Sequence, residues 1–490
     1  MDHRGPPETN KKKEKSFHQS QTQPRLQRSR EVQETEKRDE ESMQRSVFQL
    51  HEDYSERRPN FQPQEVLALY KGQGCDNMGV APLRNSDGIT YCDKDLRANI
   101  LNNQFSSVFN QNENPDTIRD KGPSPYIVMP RINITNTNVQ KLLQRLNINK
   151  ATGPDNISTR LLKTVATQIS PTLTTFFQAS INQGKIPEEW KAANVVPIFK
   201  KGDRSSAANY RPVSLTSVCC KTLEHIICSS IMNHLDQNNI LTDAQHGFRK
   251  HRSSETQLIL TINDLAKNID NNIQTDVILL DFSKAFDQLP HQRLLHKTRY
   301  YGVNTDTHNW IRDFLSRRRQ KVIVEGATSS SAPVLSGVRH GSVLGPLLFL
   351  IYINDLPEYI RSSSVRLFAD DCVVYRKIKN ESDAQLLQED LDRLQTWEQH
   401  WEMEFHPQKC QLLRVTNRRN FINANYNIHG HILENVETVK YLGVTMDKSL
   451  TWNQHIADIS RKSNGVKAFL QKEYESVSQE NKSILLRVPG

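Results

Sequence analysis

Three acidic residues are notable for where they fall. Asp281 closes the run Asp276-Val277-Ile278-Leu279-Leu280-Asp281, in which an unbroken apolar stretch leads into a carboxylate. An apolar strand buried on both faces would deliver that carboxylate to the lip of a cleft. Asp370 and Asp371 lie between two short β-rich arms, Val365-Arg366-Leu367-Phe368 and Cys372-Val373-Val374-Tyr375, as the tip of a hairpin would. Asp281 and Asp370 are far apart along the chain, so any meeting is spatial. Three carboxylates in one cleft repel unless cations cancel them. Two Mg²⁺ ions about 3.5–4 Å apart would do so while clamping the attacking and leaving oxygens of a phosphoryl transfer. Taken singly, an Asp at a strand end reads as a cap and Ala-Asp-Asp as a chance triplet, so the weight falls on what surrounds them.

The elements that must position these acids are mixed. Strands are expected at Val195–Ile198, Val277–Leu280 and Gln320–Val324, with the hairpin over Val365–Tyr375. Apolar spacing predicts helices at Glu65–Tyr70, from Ala98 to Phe109, at Asn136–Leu146, Ser158–Gln183, Leu215–Leu235, Ser254–Asn268 and Trp452–Leu470. The turn-rich stretch Lys150-Ala151-Thr152-Gly153-Pro154-Asp155 separates two of them. No repeat and no regular βαβ rhythm is present, which argues for α+β over a doubly wound sheet.

Composition limits the function classes. Of 490 residues 36% are hydrophobic, below the usual globular share, so part of the chain is expected to stay outside any core. Residues 1–60 hold 13 Lys/Arg and 12 Asp/Glu among Gln, Ser and Pro, and read as a disordered, nearly neutral tail. The run Lys11-Lys12-Lys13-Glu14-Lys15 within it is a solvated charge run or an import or RNA-contact patch. The excess positive charge, +9 overall, therefore belongs to the remainder and favours a polyanionic partner. The longest apolar run, Val343–Ile353, is short and is broken by Gly345 and Pro346, and the first 30 residues carry no apolar leader. The chain thus reads as intracellular, with nucleus or cytoplasm open and no membrane partner. The seven cysteines, Cys75, Cys92, Cys219, Cys220, Cys228, Cys372 and Cys410, form no Cys-x-x-Cys and no zinc spacing, and read as idle thiols.

Asp281-Phe282-Ser283-Lys284-Ala285-Phe286-Asp287 followed by Phe368-Ala369-Asp370-Asp371 resembles the reverse transcriptases of non-LTR (LINE-type) retrotransposons, jockey-like elements in particular. Further boxes agree in the same order: Lys150–Asp155, Ile186-Pro187-Glu188-Glu189-Trp190-Lys191, Asn209-Tyr210-Arg211-Pro212-Val213-Ser214-Leu215 and Gln245-His246-Gly247-Phe248-Arg249-Lys250. Gly341-Ser342-Val343-Leu344-Gly345-Pro346, Pro407-Gln408-Lys409-Cys410 and Tyr441-Leu442-Gly443-Val444 complete the series, over roughly residues 80 to 470.

The resemblance implies an α+β right hand of fingers, palm and partial thumb, with an antiparallel palm sheet. It divides the chain into the tail (1–60), a helical N-terminal extension with a template-contacting segment (61–180), a polymerase body (181–447) and the start of a thumb (448–490). Asp281 and Asp370 would ligate both Mg²⁺ ions, for which Mn²⁺ could substitute, with Asp371 peripheral and the Phe282 carbonyl a further ligand. Phe286 would bar a 2′-hydroxyl and so select deoxynucleotides; as a bare residue it reads as a helix-core Phe. Arg249 would neutralise the incoming triphosphate, as a planar bidentate fork suits phosphate, with Lys250 and Arg252 beside it. Gly341 and Ser342 would let the template–nucleotide pair come close. Lys409 is a general-acid candidate or a surface lysine. Lys150, Lys200, Lys201, Arg204 and Arg211 would touch template phosphates, with Tyr210 stacking, and Arg317-Arg318-Arg319 and Lys321 would lie on the duplex; each basic residue reads equally as solvated surface.

Three departures accompany the resemblance. Arg339-His340 stands where the family carries Pro-Gln, and His340 would take over the nucleotide contact of the glutamine. Residues 1–80 are too few for the endonuclease such elements carry, and the thumb is expected to be cut short at Gly490. The resulting expectation is an RNA-directed DNA polymerase acting on an RNA template, a DNA primer and deoxynucleoside triphosphates. A remnant that binds RNA without polymerising is the alternative. A group II intron maturase, which lacks support without a basic maturase segment, and a DNA-templated polymerase stand behind it.

Overall fold

The computed structural model describes residues 79–476, apart from 86, 111–117 and 119. The expected tail, its basic run, Cys75 and the helix at Glu65–Tyr70 lie outside the described residues. Helices α1 (Lys94–Ser106), α2 (Asn136–Gln144) and α3 (Ala166–Gln183) lead into strands β1 (Ala192–Phe199) and β2 (Tyr210–Leu215). Then follow α4 (Val218–Gln237), α5 (Ser254–Asp270), β3 (Gln274–Leu280), α6 (His291–Tyr300), α7 (Thr305–Leu315) and β4 (Arg318–Val324). After α8 (Leu344–Ile353) come the hairpin β5 (Ser364–Phe368) and β6 (Asp371–Ile378), α9 (Glu381–Trp401), β7 (Gln411–Val415), β8 (Glu434–Val436) and α10 (Asn453–Ser476). The α+β expectation holds.

One five-stranded sheet has the order β8-β7-β3-β6-β5. β6 runs antiparallel to β3 and β5, and β7 antiparallel to β3. The edge strand β8 runs parallel to β7, so the expected all-antiparallel pattern fails at that edge. β3 owes its apolar run to its central position. Ile278 and Leu280 belong to the larger core with α4, α8 and α9, and Val277, on the opposite face, belongs to a second core against α5. A second sheet is built on β2-β1-β4, and α1 packs on it through Ala98, Leu101 and Phe105.

Helix α8 is apolar all round and almost wholly buried, as its Leu-Gly-Pro-Leu-Leu-Phe-Leu-Ile-Tyr-Ile sequence demands. Leu344 and Gly345 at its start are buried, so their N–H groups need protein acceptors. Glu224 of α4, fully buried, accepts from Val343 N (2.7 Å) and Leu344 N (3.1 Å), and Ser342 Oγ accepts from Gly345 N (2.9 Å). Pro346 has no N–H to satisfy. The Ser-Val-Leu-Gly-Pro box is in this respect a buried helix cap.

Other differences from the expected elements are local. The helix expected over Ser158–Gln183 breaks at Val165, whose φ and ψ of −98° and 19° leave the helical range. Leu215 ends a strand, and α4 starts only after Ser217, whose hydroxyl accepts from Cys220 N. Of the cysteines, the six described are unpaired, with Cys219, Cys220, Cys372 and Cys410 buried. Among the described residues no helix is long and apolar enough to cross a membrane.

Glu224→Ala leaves two buried N–H groups without an acceptor and should destabilise the fold by about 3 kcal/mol. Glu224→Gln, which keeps one carbonyl oxygen, should lose less. Urea unfolding measures both, and a wild-type midpoint for Glu224→Ala would refute the capping role.

Candidate active site

Strand register brings the acids together. Cys372 faces Leu280 across β6 and β3, and one further step in that register sets Asp371 opposite Asp281. Asp371 also faces Phe368 across the β5–β6 hairpin, so Ala369 and Asp370 form its two-residue turn. Ala369 has φ = 54°, a left-handed conformation that costs an L-residue about 1 kcal/mol. The turn is held from outside. Gln245 Oε1 accepts from Ala369 N (2.9 Å) and Gly247 N (2.7 Å), while His246 N donates to Leu367 O (2.9 Å) and Leu367 N to Ala244 O (2.9 Å). A Cβ on Gly247 would overlap the Ala369 amide. Residues 244–247 thus act as an extra edge beside β5 and fix the backbone that carries Asp370. Gln245 stood in the sequence pattern with no role, because nothing in a lone amide points to a turn more than a hundred residues away.

The far side of Asp281 is fixed in the same manner. His406 N donates to Asp281 O (2.7 Å) and Ser283 N to Glu404 O (2.9 Å). These bonds flank Phe282, so in the antiparallel pattern its own carbonyl turns away from 404–406, toward the hairpin tip. Its ring is buried and stacked on Phe405 at 4.4 Å. Lys409, expected as a general-acid candidate, has its Nζ 3.6 Å from Asp281 Oδ1, with the two side chains 55% and 53% exposed.

The electrostatics record who faces whom. Burial and then the charges of Asp370 and Asp281 push Asp371 up to about 6. Burial and Asp281 raise Asp370, against the opposing pull of His340 and Arg211. Lys200 is lowered by burial and by Arg211, Lys409 and Lys201, with Asp281 opposing. Arg211, His340, Lys200 and Lys409 therefore lie near the carboxylates, with Lys201 beside Lys200. Among the described residues no three His, Cys, Asp or Glu side chains are drawn to coordination geometry. The all-oxygen donor set of the three acids suits hard divalent ions.

His340 and Phe286 lie together, ring centroids 5.1 Å apart, and Phe286 stacks on Phe349 at 4.4 Å. The His340 carbonyl accepts from Ser214 N (2.9 Å). Asp287, given no role above, is raised by burial, with the charges of His340 and Lys284 opposing.

Several expected contacts are corrected. Tyr210 is buried, edge-on to Phe199 at 5.5 Å, its hydroxyl donating to Arg204 O (2.8 Å), so it offers no stacking face. Strand alternation on β2 turns Tyr210 inward and Arg211 outward. Arg249 donates to Thr242 O (2.9 Å) and pairs with Asp236 at 3.5 Å, so its guanidinium is held by its own turn. The close approach at Gly341 (φ = 101°) is to the protein itself, since a Cβ there would sit 2.6 Å from Ser214 O. Ser342 is a cap, as above. Arg318, 3% exposed, donates to Phe314 O (2.6 Å) and Trp190 O (3.1 Å) and is structural. Arg204 is exposed over the Phe199 ring at 4.6 Å. Lys150 is exposed near Lys221, in a turn whose Gly153 abuts Thr216, and it is not among the groups acting on the acids.

The family described as reverse transcriptase (RNA-dependent DNA polymerase) matches residues 198–446, which hold all three acids and Arg211, His340 and Lys409. The chain belongs to the reverse transcriptase family. It is 29% identical over 348 residues to the RNA-directed DNA polymerase from mobile element jockey of Drosophila melanogaster, covering 69% of this chain and 38% of that protein. Its identity to the jockey polymerase of Drosophila funebris is 27% over 418 residues (82% and 45%). To the probable RNA-directed DNA polymerase from transposon X-element of Drosophila melanogaster it is 28% over 421 residues (82% and 45%). The resemblance to non-LTR elements is thus borne out, and the chain spans about two fifths of the length of these relatives.

Asp371 binds its proton more tightly in this reverse transcriptase fold than in the unfolded chain. Its stabilising contribution is complete below pH ~4 and lost as pH rises through about 6. Asp371→Asn, which cannot ionise, should therefore raise the melting temperature of metal-free protein more at pH 7 than at pH 5. Added Mg²⁺ should narrow the difference by stabilising the wild type. Thermal melts at the two pH values test this, and a gap that shrinks toward pH 7 would contradict it.

Proposed function

We propose that this chain is the palm and fingers, with the start of a thumb at α10, of a right-hand polymerase that copies RNA into DNA. The reading rests on one observation above others: Asp371 opposite Asp281 by strand register, with Asp370 in the intervening turn. The five-stranded sheet is then the palm, and the sheet of β1, β2 and β4 belongs to the fingers. Two Mg²⁺ ions, or Mn²⁺, would supply the charge that activates a primer 3′-hydroxyl and neutralises the departing pyrophosphate.

The chain's own residues supply the rest. Asp281, Asp370 and the Phe282 carbonyl offer oxygen ligands, with Asp371 beside them. Arg211 and Lys200, from β2 and the end of β1, grip the triphosphate in place of Arg249, and Lys201 and Arg204 extend that positive surface toward the template. Phe286 and His340, in ring contact, border the nucleotide's sugar, the stack on Phe349 giving Phe286 a fixed attitude. Lys409, free to swing because it is half exposed, donates a proton toward the leaving pyrophosphate.

Primer extension on an RNA template with deoxynucleotides and Mg²⁺ tests the reading. The wild type should extend, and Asp370→Ala/Asp371→Ala should lose about a thousandfold or more of the rate. Folded wild-type protein that binds RNA and extends nothing would refute it. In the same assay Phe286→Ala should incorporate ribonucleotides more readily relative to deoxynucleotides. Unchanged discrimination would remove Phe286 from the sugar site.

A further inference from the structure

Phe248 is an aromatic residue in a conformation that bulky side chains rarely adopt. Its φ is 55°, the ring is 52% exposed, and it belongs to none of the hydrophobic cores. A left-handed backbone at a bulky residue is a true outlier, worth of order 1–3 kcal/mol elsewhere. Neither burial nor an aromatic partner among the described residues offsets it here.

The turn that displays this ring is held rigidly. Before it, Gly247 abuts the Ala369 backbone and shares the Gln245 side-chain oxygen Oε1 with it. After it, Arg249 bonds to the Thr242 carbonyl, and Arg252 donates to Asp243 Oδ1 (2.6 Å) and Gln245 O (3.1 Å). The two arginines expected at the triphosphate are here the struts of this turn. One residue from a backbone contact with the catalytic hairpin, Phe248 stands within about 10 Å of the turn that carries Asp370. Lys250 and His251, next along the chain, are exposed as well.

We infer that Phe248 is a positioning residue whose ring rests on the primer–template duplex next to the carboxylates. This inference rests on the polymerase reading above. An uncharged ring gains nothing from phosphates. It gains from the base edges and sugars of a strand, by contact that tolerates any sequence, which is what a polymerase needs where its product leaves the acids. The flanking turn, basic at Lys250, carries no carboxylate between Gly247 and Ser253, which matches an anionic duplex. A rigid turn then sets the height of the hairpin and of the duplex together, because one glycine joins them.

Affinity for a labelled RNA–DNA primer–template, measured without catalysis, tests this in the full chain. Phe248→Ala and Phe248→Gly should weaken binding about five- to a hundredfold. Both should melt no lower than wild type, with the glycine variant higher because its backbone is relieved. Phe248→Tyr and Phe248→Trp should restore binding. A photo-crosslinking phenylalanine at position 248 should attach to the nucleic acid within the first few pairs of the primer terminus. Wild-type affinity in Phe248→Ala, crosslinks to protein alone, or a loss of melting temperature that Tyr and Trp do not repair would each overturn the inference. If the duplex binds and its binding depends on the ring, yet nothing is extended, the polymerase reading fails and this one stands. If wild type binds no duplex, both fail.

Discussion

Like charge held at close quarters is the constraint around which this chain is arranged. Asp281, Asp370 and Asp371 meet at one end of a sheet, and Asp371 is pushed up to about 6 by burial and by its two neighbours. Nothing in the carboxylates themselves favours that meeting, so it must be imposed by backbone. The imposition comes from both sides: β3 is clamped beyond Asp281 by residues 404–406, and the hairpin turn is clamped at Ala369 by Gln245 and Gly247. β3 can bear this because its apolar residues lock into separate cores on its two faces. Arg211 on the other sheet and His340 offset part of the repulsion at Asp370, and Lys409 lies 3.6 Å from Asp281.

The same arrangement explains which parts were legible in the sequence. The acids were, because a buried central strand and a tight hairpin both leave strong local marks: an unbroken apolar run and two β-rich arms around a short polar centre. Arg211 and Lys409 stood in collinear boxes, His340 as a departure from them and Lys200 only as an expected template contact. That Arg211 and His340 act on Asp370, and that Lys409 lies beside Asp281, is seen only in the folded chain. Tyr210 and Arg249 misled for opposite reasons. Strand alternation, which a short box of six or seven letters barely displays, turned the tyrosine into the core and left the arginine beside it outside. Arg249 has the right chemistry for phosphate, but carbonyl oxygens of its own turn lie nearer.

Glu224, Gln245 and Asp287 were not legible because their meaning lies in partners remote in sequence. A glutamate in the middle of a helix reads as a solvated residue until the start of another, wholly apolar helix is found against it. The Gly-Ser-Val-Leu-Gly-Pro box reads as a small-residue surface for a ligand, yet part of its composition follows from capping a helix whose first residues, Leu344 and Gly345, are buried. Function and folding share these letters, and the sequence alone does not divide them.

The contact between Gly341 and Ser214 has a bearing on how such a chain can diverge. It joins the strand that carries Arg211 to His340 and Gly341, and it is made of main chain: the Ser214 amide donated to the His340 carbonyl, and the missing Cβ of Gly341. Side chains along β2 can be exchanged by drift while the distance between the two halves of the site stays where the peptide groups put it. The freedom is unequal. Ser214 can vary as long as its replacement fits a buried position, whereas at 341 every other residue brings both a steric overlap and an adverse φ. A diverging lineage would keep its site in register through such a joint, and would lose it through a single codon.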